Sequence, residues 1–192
     1  MNIAWTWRRY EGNPTQAVAV YNQLIGLEKE REGEWHENIV GTWREAKKWD
    51  NAIATYQTLL KVVPARFGDW FWGIADCHER SGRLPQAIQC YRQSDKYPSA
   101  YFAMASCHRR LKQYKEALIL YHQARADKGS APNATIHIAY TYEEYNQKEN
   151  AIKWFQQTCK LYPKNSRASQ AHAHLQNKYK ISVTLGGANE KD

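Results

Sequence analysis

Hydrophobic positions in residues 33–66, GEWHENIVGTWREAKKWDNAIATYQTLLKVVPAR, fall into two stripes. Ile39, Val40 and Trp43 make the first; Trp49, Ala52, Ile53, Tyr56, Leu59 and Leu60 make the second. Both follow i, i+3, i+4, i+7 spacing, the pattern of a helix with one apolar face. The spacing therefore predicts a helical hairpin. Pro64 ends its second helix, because proline disfavours helical geometry in the residue before it. Two helices approach closely only where a side chain is small. Ala52 allows that approach, and Tyr56 one turn later fills the space beside it.

The same alanine–aromatic step recurs as Ala17/Tyr21, Ala52/Tyr56, Ala87/Tyr91, Ala117/Tyr121 and Ala151/Phe155, with alanines 35, 35, 30 and 34 residues apart. A period near 34 marks an array of helix–turn–helix units. Asn13, Gly82 and Asn146 supply turns between paired helices, and Asn13-Pro14 reads as an N-cap followed by proline at the first helical position. After Pro163, the residues Ala168, Ala171, His172 and Leu175 form one modest apolar stripe among polar residues, as expected of a helix that caps an array. The closing SVTLGGANEKD has no helical period and is expected to fray.

These windows resemble the tetratricopeptide repeat (TPR) family over about nine tenths of the chain. Residues 68–97 present Phe71, Ile74, Ala75, His78, Gly82, Ala87 and Tyr91, with Pro98 arriving early. Residues 98–131 present Tyr101, Met104, Ala105, His108, Ala117, Tyr121 and Ala124, and residues 132–165 present Ile138, Ala139, Tyr142, Ala151, Phe155 and Pro163. The first window is clipped to Ala4, Trp5, Ala17, Tyr21 and Leu24. The resemblance implies an all-α fold, a right-handed superhelical solenoid of about five TPR units. Their expected bounds are 1–32, 33–66, 67–97, 98–131 and 132–165, followed by a cap helix over 166–180 and a flexible tail over 181–192. Only Pro64 and Pro163 occupy the family's usual closing position, and the first three windows lack its Leu-Gly pair.

Composition narrows the function. With 192 residues the chain suits one continuous domain, and its 8 Trp and 13 Tyr are expected as wedges between helices. No apolar run is long enough to span a membrane, and MNIAWTWRRYEGN lacks the order of a signal peptide. As written, the protein is expected in the cytoplasm, although a start inside a repeat also fits a piece of something longer. Cys77-His78 and Cys107-His108 repeat one unit apart. A metal site is one reading; equivalent packing positions in successive helices are the other, and neighbours about 100° apart on a helix do not converge on one ion. His172 and His174 diverge in the same way. Cys90 and Cys159 add no disulfide framework. No phosphate-cradling glycine loop, HExxH or G-x-S-x-G occurs, so no catalytic residue, cofactor or metal is assigned. Asn133-Ala134-Thr135 fits a glycosylation sequon, relevant only to a secreted eukaryotic protein.

In the TPR family the ligand usually lies along a concave face lined by the first helix of each unit. The matching positions here are Glu37, Gly41, Arg44 and Glu45; Asp69, Trp72, Asp76, Glu79 and Arg80; Ser99, Phe102, Ser106, Arg109 and Arg110; and Asn133, Ile136, Tyr140, Glu143 and Glu144. The resemblance thus implies a peptide-binding groove centred on Trp72, Asp76, Arg80, Phe102, Arg109, Ile136 and Tyr140. Aromatic anchors bury much area at small entropy cost, and Arg109 suits a ligand carboxylate. The competing reading packs Trp72 and Phe102 against neighbouring helices. The Lys, Asn and Arg clamp by which some TPR domains hold chaperone tails is absent, its places taken by Glu37, Gly41, Gly73, Ser99 and Ala103.

The leading expectation is a protein–protein interaction scaffold that binds a peptide or helical segment without catalysis. The alternative is RNA or another polyanion. It rests on 27 Lys+Arg against 19 Asp+Glu, and on the cluster Arg109, Arg110, Lys112 and Lys115 with Arg44, Lys47 and Lys48 nearby. The bland account is that these cations solvate helix ends. An apolar edge at Ala4, Trp5 and Trp7 suggests either a homodimer contact or a place where upstream sequence packs.

Overall fold

The computed structural model describes residues Asn13–Gly186, and the regular elements among them are all helices. The chain divides between Lys96 and Tyr97 into two compact units. The first holds α1 (Pro14–Leu27), α2 (Glu32–Glu45), α3 (Trp49–Val62), α4 (Phe67–Arg80) and α5 (Leu84–Gln93). The second holds α6 (Ser99–Arg110), α7 (Tyr114–Ala124), α8 (Ala131–Glu144), α9 (Lys148–Leu161) and α10 (Ser166–His174), then a π turn, Leu175–Tyr179. In the first unit α2 pairs with α3 and α4 with α5, while α1 stacks on α2 and α3 on α4. In the second, α6 pairs with α7 and α8 with α9, while α7 stacks on α8 and α9 on α10.

The alanine–aromatic step is the core of both units. All five alanines are fully buried, and Tyr21, Tyr56, Tyr91, Tyr121 and Phe155 expose at most 5% of their surface. Each hairpin turn places one residue in the left-handed region: Lys47 at φ 55°, Gly82 at 80°, Lys112 at 59° and Asn146 at 58°. The next residue donates back across the turn in each case, Lys48 to Trp43, Arg83 to His78, Gln113 to His108 and Gln147 to Tyr142, at 2.8–2.9 Å. This is the Schellman closure, which satisfies carbonyls left open at a helix end. Gly82 and Asn146 are legible as turn residues; Lys47 and Lys112 adopt the same geometry without the composition that announces it. Asn13 caps α1 by accepting from the Gln16 N–H at 3.1 Å, with Pro14 in the first turn. The 30-residue step coincides with a short α5, 10 residues against 14 in α3.

Short 3-10 turns, Lys29–Arg31 and Pro64–Arg66, join successive hairpins of the first unit. Each sets an arginine over a buried tryptophan: Arg31 lies 4.3 Å from the Trp35 ring and Arg66 lies 4.4 Å from the Trp70 ring. The tryptophans in turn meet the preceding second helix, Tyr21–Trp35 at 6.1 Å and Tyr56–Trp70 at 6.2 Å between centroids. Close approach also requires Gly73 in α4. A Cβ there would lie 2.2 Å from Tyr56 Cζ, well inside contact distance. Gly73→Ala is expected to lose about 1–3 kcal/mol of stability through overpacking. Chemical denaturation followed by circular dichroism checks this, and an unchanged midpoint would show that the Tyr56 ring moves aside freely.

At the C-terminal end, Asn165 caps α10 by accepting from Arg167 N–H at 2.9 Å. Ala168, Ala171 and Leu175 are fully buried, as the stripe predicts. The segment from residue 181 departs from the expected flexible tail. The Ile181 N–H donates to the Leu175 carbonyl at 3.1 Å, and the Gly186 N–H donates to that of Cys159 at 3.2 Å. Ile181 and Val183 pack on the core around Phe155. Their spacing of two, the period of extended chain, turns both toward one side. The expected N-terminal edge at Ala4, Trp5 and Trp7 lies outside the described residues, as do positions 187–192.

Candidate protein-binding faces

Seven residues were expected to line one groove. Trp72, Asp76 and Arg80 stand on the first unit; Phe102, Arg109, Ile136 and Tyr140 stand on the second.

On the first unit, α2 and α4 are joined by charge. Arg44 donates to Asp76 at 2.8 Å, and Arg80 donates to the same carboxylate at 2.9 Å. Two guanidinium groups thus share one acid. Beside them a hollow of about 360 Å³ is lined by Gly41, Arg44, Glu45, Trp49 and Arg80. Farther along, Arg66 bridges Glu37 at 2.7 Å and Asp69 at 3.0 Å, and Lys96 also pairs with Asp69. That second row compensates itself, and in the first Arg44 and Arg80 share Asp76 while Glu45 lines the same hollow. Trp72 is half-buried, its ring edge-on to Tyr91 of α5 at 4.9 Å. It therefore packs on its own hairpin and still shows a face to solvent. Cys77 fills the core behind, where burial pushes its thiol up to about 11, so it behaves as a packing residue. Cys107 is fully buried on α6.

On the second unit the aromatic row differs from the expected one. Ile136 is only 1% exposed and belongs to the core with Ala139, Phe155, Ala171 and Leu175. It is not a groove residue, because α10 and the π turn supply apolar partners that cover it. The neighbouring His137 takes its place. Its ring stacks on Tyr121 at 5.5 Å and meets Phe102 edge-on at 5.0 Å and Tyr140 at 6.2 Å. Phe102 and Tyr140 are half-buried, leaning on Tyr121 and Phe155. Arg109 approaches His137 Nδ1 through Nη1 at 3.3 Å, while its Nε lies 3.8 Å from Glu144. Burial pushes the His137 imidazole down to about 4, with the charges of Arg109 and Arg167 adding to the effect. Glu143 turns the other way and is occupied: His174 Nε2 at 2.9 Å, the Tyr179 hydroxyl and Lys178 Nζ at 3.2 Å converge on Oε1. Burial works to raise that carboxyl, and these hydrogen bonds outweigh it, giving a net downward shift. His137 and Arg167 carry no sequence signal as site residues, since neither occupies a position the repeat pattern marks.

A tetratricopeptide repeat family model matches residues 44–101, and a second matches residues 134–165. No curated protein sequence matches the chain. Among solved structures, MamA from Desulfovibrio magneticus RS-1 shares 13% identity at a TM-score of 0.64, covering 84% of this chain and 92% of its own. YrrB, described as a TPR protein with an unusual peptide-binding site, shares 15% identity at a TM-score of 0.62, covering 88% of each chain. BtubC from P. vanneervenii shares 13% identity at a TM-score of 0.67, covering 94% of this chain and 84% of its own. At such identities the likeness speaks for the fold, an all-α solenoid of helical repeats. The paired helices, the buried alanine–aromatic steps and both family matches agree: the chain carries tetratricopeptide repeats, and proteins built of them are generally non-catalytic scaffolds for protein–protein interaction.

Proposed function

We propose that this protein binds a peptide or helical segment of a partner along its first-helix faces, with Trp72 and Arg80 contributing on the first unit and Phe102, Tyr140 and Arg109 on the second. The observation that carries the reading is the half-buried row Phe102–His137–Tyr140. These rings are held rigidly by Tyr121 and Phe155 and retain open surface beside a cation. Rigid aromatics beside arginine are the side chains that dominate protein interfaces. The cations proposed for RNA are divided between two kinds of place: Arg44 and Arg109 are engaged on the first-helix faces, whereas Lys47 and Lys48 line a hollow at a hairpin turn with Asp50 and Arg83.

The test is affinity capture from native lysate, with and without nuclease, using the full chain and a Trp72→Ala/Arg109→Ala variant. A protein recovered from both lysates should bind the variant at least about tenfold more weakly, as expected for loss of interface anchors. Equal recovery by the variant would remove these faces from the interaction. Recovery abolished by nuclease would favour the polyanion instead.

A further inference from the structure

We propose that His137 presents its Nε2–H as a hydrogen-bond donor to the bound segment, and that the group it meets is a carboxylate held between Arg109 and Arg167. The inference rests on the protein-binding reading above and names the chemistry of the ligand on the second unit.

Proton bookkeeping at one contact supplies the first step. Arg109 Nη1 lies 3.3 Å from His137 Nδ1. A guanidinium has five donors and no acceptor, and it stays protonated in proteins. Nδ1 must therefore accept, so a neutral imidazole carries its hydrogen on Nε2. Protonating Nδ1 would set two donors against each other. The ring cannot turn to exchange its nitrogens without breaking the stack on Tyr121, 21° from parallel, and the edge contacts to Phe102 and Tyr140. Nε2–H has no hydrogen-bond acceptor among the described residues, and the side chain is only partly buried. An oriented donor is thus left facing outward.

Charge supplies the second step. Arg109 has Glu144 at 3.8 Å, close enough for attraction but too far for a hydrogen bond. Arg167 donates through Nη1 to the neutral amide of Gln170 at 2.8 Å. Its charge acts on both the His137 and Tyr140 rings, and among the described residues it has no carboxylate within ion-pairing distance. Glu143, the other acid on this side of α8, is saturated by His174, Tyr179 and Lys178. The face offers donors and one net positive charge, Arg109 being loosely paired with Glu144 and Arg167 holding only a neutral amide. An ionised carboxylate, which only accepts and takes up to four hydrogen bonds, is the complementary group. An amide or hydroxyl would satisfy the imidazole and leave Arg167 without an anionic partner, Arg109 keeping only its loose pairing with Glu144.

Long-range proton–nitrogen spectra of the full chain labelled at histidine nitrogen test this. His137 is assigned by the signals missing from His137→Phe, with His137→Gln as a second variant. The expected pattern at neutral pH is the Nε2–H tautomer. The probes are a capped tetrapeptide of alternating aspartate and glutamate, a capped trialanine with a free C-terminal carboxylate, and a capped lysine–glutamine tetrapeptide. The acidic tetrapeptide should move the Nε2–H resonance if side chains supply the carboxylate, and the trialanine should do so if a chain terminus does. The lysine–glutamine peptide should not. Arg109→Gln and Arg167→Gln should each weaken the responding probe about tenfold. An Nδ1–H tautomer, a charged imidazole at neutral pH, or silence toward both carboxylate probes overturns the proposal. Failure of the lysate capture with a positive probe response would instead count against the partner reading and leave the carboxylate contact intact.

Discussion

Phe155→Ala is expected to destabilise the second unit by about 3–5 kcal/mol, the range for removing a fully enclosed ring. The ring is 0% exposed and sits where α8, α9 and α10 converge. Tyr140 meets its face at 5.0 Å and His174 lies over it at 4.6 Å. Ala139 and Ala151 have no side-chain length with which to refill the space, so the cavity term adds to the lost transfer energy. The same ring meets His174 at the end of α10 and belongs to the core on which Val183 of the extended segment packs. Hydrogen exchange should therefore accelerate in α9, α10 and residues 181–186 together, since stacked elements in repeat proteins depend on the neighbour they cover. Urea denaturation gives the magnitude. A loss below about 1 kcal/mol would mean that the cap is held by something other than this ring.

Acidification should cost about 3 kcal/mol through His137 alone, taking an ordinary pKa of 6.5 against a folded value of about 4. The folded state resists protonation because the ring is buried, and because Arg109 and Arg167 lie near it. Between these two values the unfolded chain binds the proton and the folded chain does not. Stability therefore falls as pH drops from about 6.5 to about 4, and this group adds no further loss below that. Glu144 is the nearby carboxylate, paired only loosely with Arg109, and Phe102, Tyr121 and Tyr140 enclose the ring. Denaturation midpoints across this range should converge between the native chain and His137→Phe at one end and separate at the other. Parallel curves would show that His137 titrates as an exposed imidazole.

The faces were only partly readable from the chain. Trp72 and Phe102 were open between anchor and packing wedge, and the structure gives each both roles: one side against Tyr91 or Tyr121, the other partly exposed. Arg109 was expected to be available to a ligand, and its bond to His137 defines how it is presented. Ile136 was misplaced because repeat positions assume a standard neighbour on each side. At the end of the array the cap supplies a different one, and the isoleucine disappears beneath Leu175. Trp35 and Trp70 are buried, whereas Trp43 and Phe71, which stand on the periodic stripes, are only partly buried. Helical periodicity locates a stripe about 100° wide and does not rank residues at its margins.

The amino-acid sequence by itself determined the class of fold, the pairing of helices and the core alanine–aromatic steps. Those depend on local periodicity and on which side chains are small enough for helices to touch. It also determined the N-cap at Asn13 and the breaks at Pro64 and Pro163, which are properties of single residues and their immediate neighbours. Only the tertiary structure decided that Asp76 is shared by Arg44 and Arg80, that Glu143 is occupied by groups from the cap, and that His137 must accept from Arg109. Arg44 with Asp76, Glu143 with His174 and Arg109 with His137 are pairs about 30 positions apart, where a small rotation of one helix on another changes the partner, whereas Arg80 reaches Asp76 within one helix. Hydrogen bonds and ion pairs demand distances good to a fraction of an ångström, whereas burial of an apolar stripe tolerates far more.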